Sequence, residues 1–136
     1  LNDLANVRVI QAAIGDRVGT AHLAAGDSSL DAHLIETGVG EPVTIDHGVQ
    51  QLEWPPPDVI KMDVEGHEAS ALKGMSAVLR DRDPTLLIEL HWTKHEVLEI
   101  LHEYRYAVTA LGAFDILSSD TVGHGHIPAR HPAKCT

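Results

Sequence analysis

The stretch that decides the fold reads Pro57-Asp58-Val59-Ile60-Lys61-Met62-Asp63-Val64-Glu65-Gly66-His67-Glu68. Val59, Ile60, Met62 and Val64 crowd together, which predicts a buried strand over residues 58–64, ended by Gly66. Residues 67–80 then carry Ala69, Leu72, Ser76 and Leu79 on one helical stripe. Arg80 and Arg82 suit the C-terminal end of that helix, and Pro84 stops it. Residues 85–91 repeat the strand pattern with Leu86, Leu87, Ile88 and Leu90. Thr93-Lys94-His95-Glu96 matches a capping box, with Thr93 at the N-cap and Glu96 at the third helical position. Behind it Val97, Ile100, Leu101 and Tyr104 recur at helical spacing. Strands alternating with amphipathic helices predict an α/β unit with a parallel sheet.

Working outward, residues 7–10 (Val-Arg-Val-Ile) form a β-branched run that ends near the turn signal Gly15-Asp16. Residues 20–25 suit a second short strand. Residues 26–41 hold Gly26, Asp27, Ser28, Ser29, Gly38 and Gly40 and read as a long loop. Residues 42–46 read as a brief strand, with Asp46 placed to cap a short helix over 47–52. Trp54-Pro55-Pro56-Pro57 is a stiff connector, because three prolines suit neither a helix interior nor a central ladder. Toward the C-terminus, residues 106–111 and 114–117 flank Gly112-Ala113, predicting an antiparallel hairpin at one sheet edge. From Ser118 the chain turns polar, with Gly, His and Pro, and a poorly ordered tail is expected. The expected organisation is one domain over residues 1–117 and a tail over 118–136.

The chain has 136 residues, enough for one domain. Twenty acidic against ten basic side chains give a formal charge of −10. With no Lys/Arg cluster, a nucleic-acid partner is not expected. No apolar run approaches the roughly 20 residues of a membrane span, so no membrane partner is expected. Cys135 is the one cysteine. It has no internal disulfide partner, and a reducing, cytoplasmic location fits. There is no Gly-rich phosphate loop, no G-x-S-x-G elbow and no paired C-x-x-C.

In open α/β sheets, ligands bind beyond the carboxyl ends of the strands. Alternation puts Lys61 and Asp63 on one face of the first strand, and Glu89 and His91 on one face of the second. If the strands are neighbours, all four converge, with Lys61 offsetting Glu89 and Asp63 and His91 nearer the open end. Two readings stand. Asp63, Glu65 and His91 are candidates for substrate contact, proton transfer or metal binding. Alternatively, the cluster is an ion-pair network that sets strand register. The strand-to-helix turn at Glu65-Gly66 favours function, since such turns abut ligands. Glu68 reads first as a carboxylate favoured by the helix dipole. Gly74 reads as a close helix contact, and Trp92 as a cover for the sheet edge or, second, as the wall of a pocket. His124, His126 and His131 fall in the expected tail.

These residues resemble the FkbM-type methyltransferase family. Residues 57–68 followed by Ala71-Leu72-Lys73-Gly74 are similar to its "pDlIKiDvEGxE…vLkGa" core. Residues 7–19, 43–46 and 84–91 are similar, in order, to its further segments. The resemblance covers roughly residues 5–111. It implies S-adenosylmethionine-dependent methyl transfer, usually to oxygen, on a class I (Rossmann-like) methyltransferase fold. That fold is a mostly parallel seven-stranded sheet with one antiparallel strand and helices on both faces. The resemblance makes residues 7–13 its third strand, 58–64 the fourth, 85–91 the fifth and the hairpin the last two. It implies that Asp63 and Glu65 lie close to the transferred methyl or the acceptor. Ala12, Ile14 and Asp16 then approach the cofactor with Asp63, and Asp63, Glu65 or His91 takes the acceptor's proton. The family's glycine-rich cofactor turn and the strands around it belong before residue 7, and this sequence leaves no room for them. The expectation is therefore a partial class I fold, the C-terminal part of a methyltransferase, nearly inactive alone. The expected partner is a small-molecule or sugar hydroxyl, with a homodimer paired through an exposed sheet edge. Where the family has Gly-Tyr, this chain has Arg105-Tyr106, so that loop is expected to differ. Two alternatives accompany this reading: a non-enzymatic interaction module, and a divalent-metal-dependent enzyme using Asp63, Glu65, Glu89 and His91.

Overall fold

The computed structural model describes residues 4–19, 21–25, 32–40, 42–109 and 125–132, with the backbone alone for 21–25 and 32–40. The elements run β1 (Ala13–Ile14), β2 (Ala21–Ala25), β3 (Ala32–Gly40), β4 (Pro42–Val43), α1 (Ile45–Gln51), β5 (Val59–Met62), α2 (Glu68–Lys73), α3 (Ser76–Arg82), β6 (Thr85–Leu90), α4 (Lys94–Glu103), β7 (Ala107–Val108) and β8 (Gly125–Arg130).

The main sheet has the order β5-β6-β8-β7. β5 and β6 are parallel, with Ile60 beside Leu86 and Met62 beside Ile88. β8 runs antiparallel to both of its neighbours, β6 and β7. Three strands therefore point one way, with one reversed strand lodged among them. Alternation along β6 buries Leu86, Ile88 and Leu90 completely and leaves Thr85, Leu87 and Glu89 half-buried. Met62, Ile127 and Ala129 join the buried face, and Leu72, Leu79, Val97 and Leu101 from the helices pack on it. Burial of this kind contributes roughly 1.5–3 kcal/mol per large apolar side chain. Ile45 and Val49 of α1 pack against the same cluster. Among the described residues the helices thus cover one face of the sheet, not two as expected. The other face carries the exposed Val59 and Lys61 and the half-buried Glu89 and His126.

The single helix expected over residues 67–80 is divided into α2 and α3 at Gly74 and Met75. A Cβ on Gly74 would sit 1.9 Å from the Gly15 carbonyl oxygen, so only glycine lets the chain carrying β1 approach. Asp46 does not cap α1; Thr44 does, accepting the His47 N–H. The Asp46 carboxylate instead accepts the N–H groups of Ala77 and Val78 and the Ser76 hydroxyl. It caps α3 from another part of the chain.

Three further expectations are corrected. Residues 7–10 form no strand, and Val7, Val9 and Ile10 are exposed. β-branched sequence makes a strand only where a ladder partner stands beside it. Within 26–41, residues 32–40 form β3 against β2, because pairing outweighs the two glycines. The expected tail contributes β8, whose Ile127 and Ala129 fill the core. β8 is an antiparallel partner of β7. Residues 114–117 and the Gly112-Ala113 turn lie outside the described residues, as do 118–124 and Cys135.

Arg105 takes the left-handed conformation (φ 61°) that glycine would. Its N–H donates to His102 and that of Tyr106 to Leu101, closing α4 with a Schellman motif. The arginine forms this turn at the expense of backbone strain.

Candidate functional site

The parallel register, carried one step past Met62 and Ile88, sets Asp63 level with Glu89. Lys61 bridges them, with Nζ 2.6 Å from Asp63 Oδ2 and 3.7 Å from Glu89 Oε2. The ammonium holds the Asp63 carboxyl below its ordinary value, against a smaller opposing effect of burial. The same hydrogen bond raises Lys61. From β8, His126 Nε2 reaches Glu89 Oε2 at 3.1 Å. His126, in the expected tail, stands directly across from Glu89 in the ladder.

Two residues beyond Glu89, just past the end of β6, lies His91, buried to 3% exposure. Its Nδ1 is 2.8 Å from Glu68 Oε1, and its Nε2 is 3.2 Å from Glu65 Oε2. Glu68 is wholly buried. It accepts the Gly66 N–H at 2.9 Å on Oε1 and the Thr93 hydroxyl on Oε2. Burial pushes its carboxyl up, but the bonds from Thr93, Gly66 and His91 outweigh this and hold it below its ordinary value. Thr93 stands at the N-cap of α4 without a side-chain cap bond. Its hydroxyl serves Glu68, and Glu96 pairs with Lys73, so no capping box forms.

Glu65 sits at φ 46°, a left-handed conformation uncommon for a side chain of its size, followed by Gly66 at φ 92°. This double turn sends the Glu65 carboxylate toward His91. A Cβ on Gly66 would meet the Trp92 Nε1 at 2.7 Å, so the indole closes over the turn. Trp92 stacks edge-on to His91, with ring centroids 5.6 Å apart, and is 55% exposed.

Asp63, Glu65, Glu89 and His91 therefore come together, joined by Glu68, Thr93 and His126. Sequence reasoning missed the last two as site residues and read Glu68 as a dipole partner. Four carboxylates face one ammonium and two imidazoles, an arrangement that attracts positive charge. Ligand atoms of Asp63, Glu89 and His91 all lie within 4.8 Å of one another.

Ala12, Ile14 and Asp16 belong to a separate group. β1 pairs in parallel with β4. The Asp16 N–H donates to Ser70 Oγ at 3.1 Å, and Gly15 rests against Gly74. Ala12 and Ile14 are half-buried and Asp16 is exposed. Both groups adjoin α2, which sends Glu68 to one and Ser70 to the other. A cleft of about 400 Å³ is lined by Leu79, Arg80, Asp83, Glu103, Tyr104, Arg105 and His131. It contains none of these candidates.

Residues 2–108 match the family described as the methyltransferase FkbM domain, and the chain belongs to that family. No curated protein and no solved structure matches it. Among the described residues, no helix is long and apolar enough to cross a membrane.

Proposed function

We propose that this chain carries the acceptor side of an S-adenosylmethionine-dependent O-methyltransferase site, acting on a small-molecule hydroxyl. The observation that carries this reading is the cluster of Asp63, Glu65, Glu89 and His91 beyond two adjacent parallel strands. Its surplus of carboxylates suits a cationic group. The reversed β8 among strands of common direction also supports a class I sheet, which has one antiparallel strand.

Bound there, S-adenosylmethionine supplies a methyl group on a positively charged sulfur. Asp63 and Glu65 would hold that charge, and Asp16, Ile14 and Ala12 would supply a further contact to the cofactor. His91 Nε2 takes the proton of the acceptor hydroxyl, which replaces Glu65 as its partner. Positioning of this kind contributes several kcal/mol of the barrier, about 7–11 at its upper range. A placed base contributes about 10²–10⁴-fold.

Titration with S-adenosylhomocysteine, followed at backbone amides, tests this. Fast-exchanging shifts at residues 12–16 and 63–66 are expected. No shift at millimolar ligand, or shifts elsewhere only, would end the reading.

The second reading is a divalent cation held by Asp63, Glu89 and His91, favoured by their mutual spacing. Lys61 already supplies a positive charge to two of the three. A melting temperature raised by Mg²⁺, Mn²⁺ or Zn²⁺ and unchanged in Asp63→Ala would support the metal.

A further inference from the structure

Resting on the reading of His91 as proton acceptor, we propose that Glu68 is a positioning residue: it keeps the neutral His91 ring in the Nδ1–H tautomer. The Nε2 lone pair is then directed at the open strand ends, where Glu65, itself only an acceptor, gives way to a substrate hydroxyl.

Two carboxylates compete for the one proton of a neutral imidazole. Glu68 Oε1 stands 2.8 Å from Nδ1 and Glu65 Oε2 stands 3.2 Å from Nε2. Their settings differ. Glu68 is wholly buried, whereas the Glu65 side chain is 41% exposed. An ionised carboxylate only accepts, and in a low-dielectric interior it binds a donor more strongly than one facing water. Glu68 is also fixed from both ends, by the Gly66 N–H and by the Thr93 hydroxyl. Thr93 gives up the cap of its own helix to do this. The ring nitrogen that keeps its proton is set by the hydrogen bond the ring makes. Here that bond is the inner one, to Glu68. Glu65, whose side chain is partly exposed, can swing aside and yield Nε2 to a substrate hydroxyl. As an imidazolium the ring bridges both carboxylates, and the proton gained on Nε2 leaves toward Glu65.

A tautomer is read without cofactor, acceptor or turnover, so its outcome is separate from that of the methyl-transfer reading. In ¹⁵N-histidine-labelled protein at alkaline pH, long-range ¹⁵N–¹H correlation is expected to show a protonated Nδ1 and a bare Nε2 for His91. In Glu68→Met the proton is expected to move to Nε2, where Glu65 accepts it. Glu65→Ala is expected to leave it on Nδ1. An Nε2–H tautomer in the unsubstituted protein overturns the proposal without any variant having to fold. So does an unchanged tautomer in a folded Glu68→Met protein.

Discussion

The Asp46 carboxylate accepts the backbone N–H of Val78 at 2.9 Å, so a residue in the first turn of α1 terminates a helix in another part of the chain. It also accepts from Ala77 at 2.8 Å. α3 has no side-chain cap from its own N-cap residue, Met75. Asp46→Ala is therefore expected to destabilise the fold by about 1–2 kcal/mol, the usual effect of removing a cap. Asp46→Asn, which keeps one acceptor, is expected to recover part of this. Urea denaturation measures both; an unchanged midpoint in Asp46→Ala would show that the cap contributes nothing.

Glu68 links stability to pH. Its folded carboxyl lies below the ordinary 4.5. The ionised form therefore stabilises the fold above pH 4.5, and that contribution disappears as pH falls through the folded value. Glu68→Gln is expected to lose about 2–3 kcal/mol at neutral pH, the scale of buried hydrogen bonds to a charge. The gap between the two proteins is expected to narrow toward pH 3. Denaturation midpoints across that window check the sign, and a gap that widens in acid contradicts it.

Gly74 is a site of close approach between the chain carrying β1 and the helices. A methyl group there meets the Gly15 carbonyl oxygen at 1.9 Å, which is backbone and has no rotamer to escape into. Gly74→Ala is expected to cost about 3 kcal/mol, the upper end of overpacking. Faster hydrogen exchange at the Gly15 amide, which donates to Val43, would locate the damage.

Arg105 holds φ 61° at the end of α4. Arg105→Gly removes left-handed strain of roughly 1–2 kcal/mol and adds unfolded-state entropy worth about 0.5–1 kcal/mol. A net gain of about 0.5–1 kcal/mol is expected in chemical denaturation. A loss would mean that the arginine side chain contributes more than its backbone costs.

What the sequence discloses depends on how far away the partner is. Two apolar runs with a period of two led to the β5–β6 pairing. The same period brought Lys61 to Glu89 and Asp63 to His91, because a strand's faces are set by its own residues. Gly74 was legible as a close contact because little else explains a glycine inside an amphipathic stripe. The errors came where a distant partner decides. Asp46 and Thr93 both match local cap patterns, yet each serves a group brought close only by the fold. Val7 and Val9 have the propensity for a strand but no ladder beside them. Residues 125–130 look like a tail because Pro128 and the surrounding His and Gly hide the alternation of Ile127 and Ala129. At Arg105 the sign came from the resemblance, which has glycine there; nothing local tells an arginine to take a left-handed angle.

The place of β8 has a consequence for synthesis. The ribosome releases β5 and β6 long before residues 125–130, yet β8 is the strand that joins β6 to β7. Until it arrives, β6 presents one unpaired side to the cell, and the buried face waits for Ile127 and Ala129. Late closure of this kind leaves a nascent chain open to association with its neighbours. A stop codon before residue 125 would release a protein with a seam down the middle of its sheet.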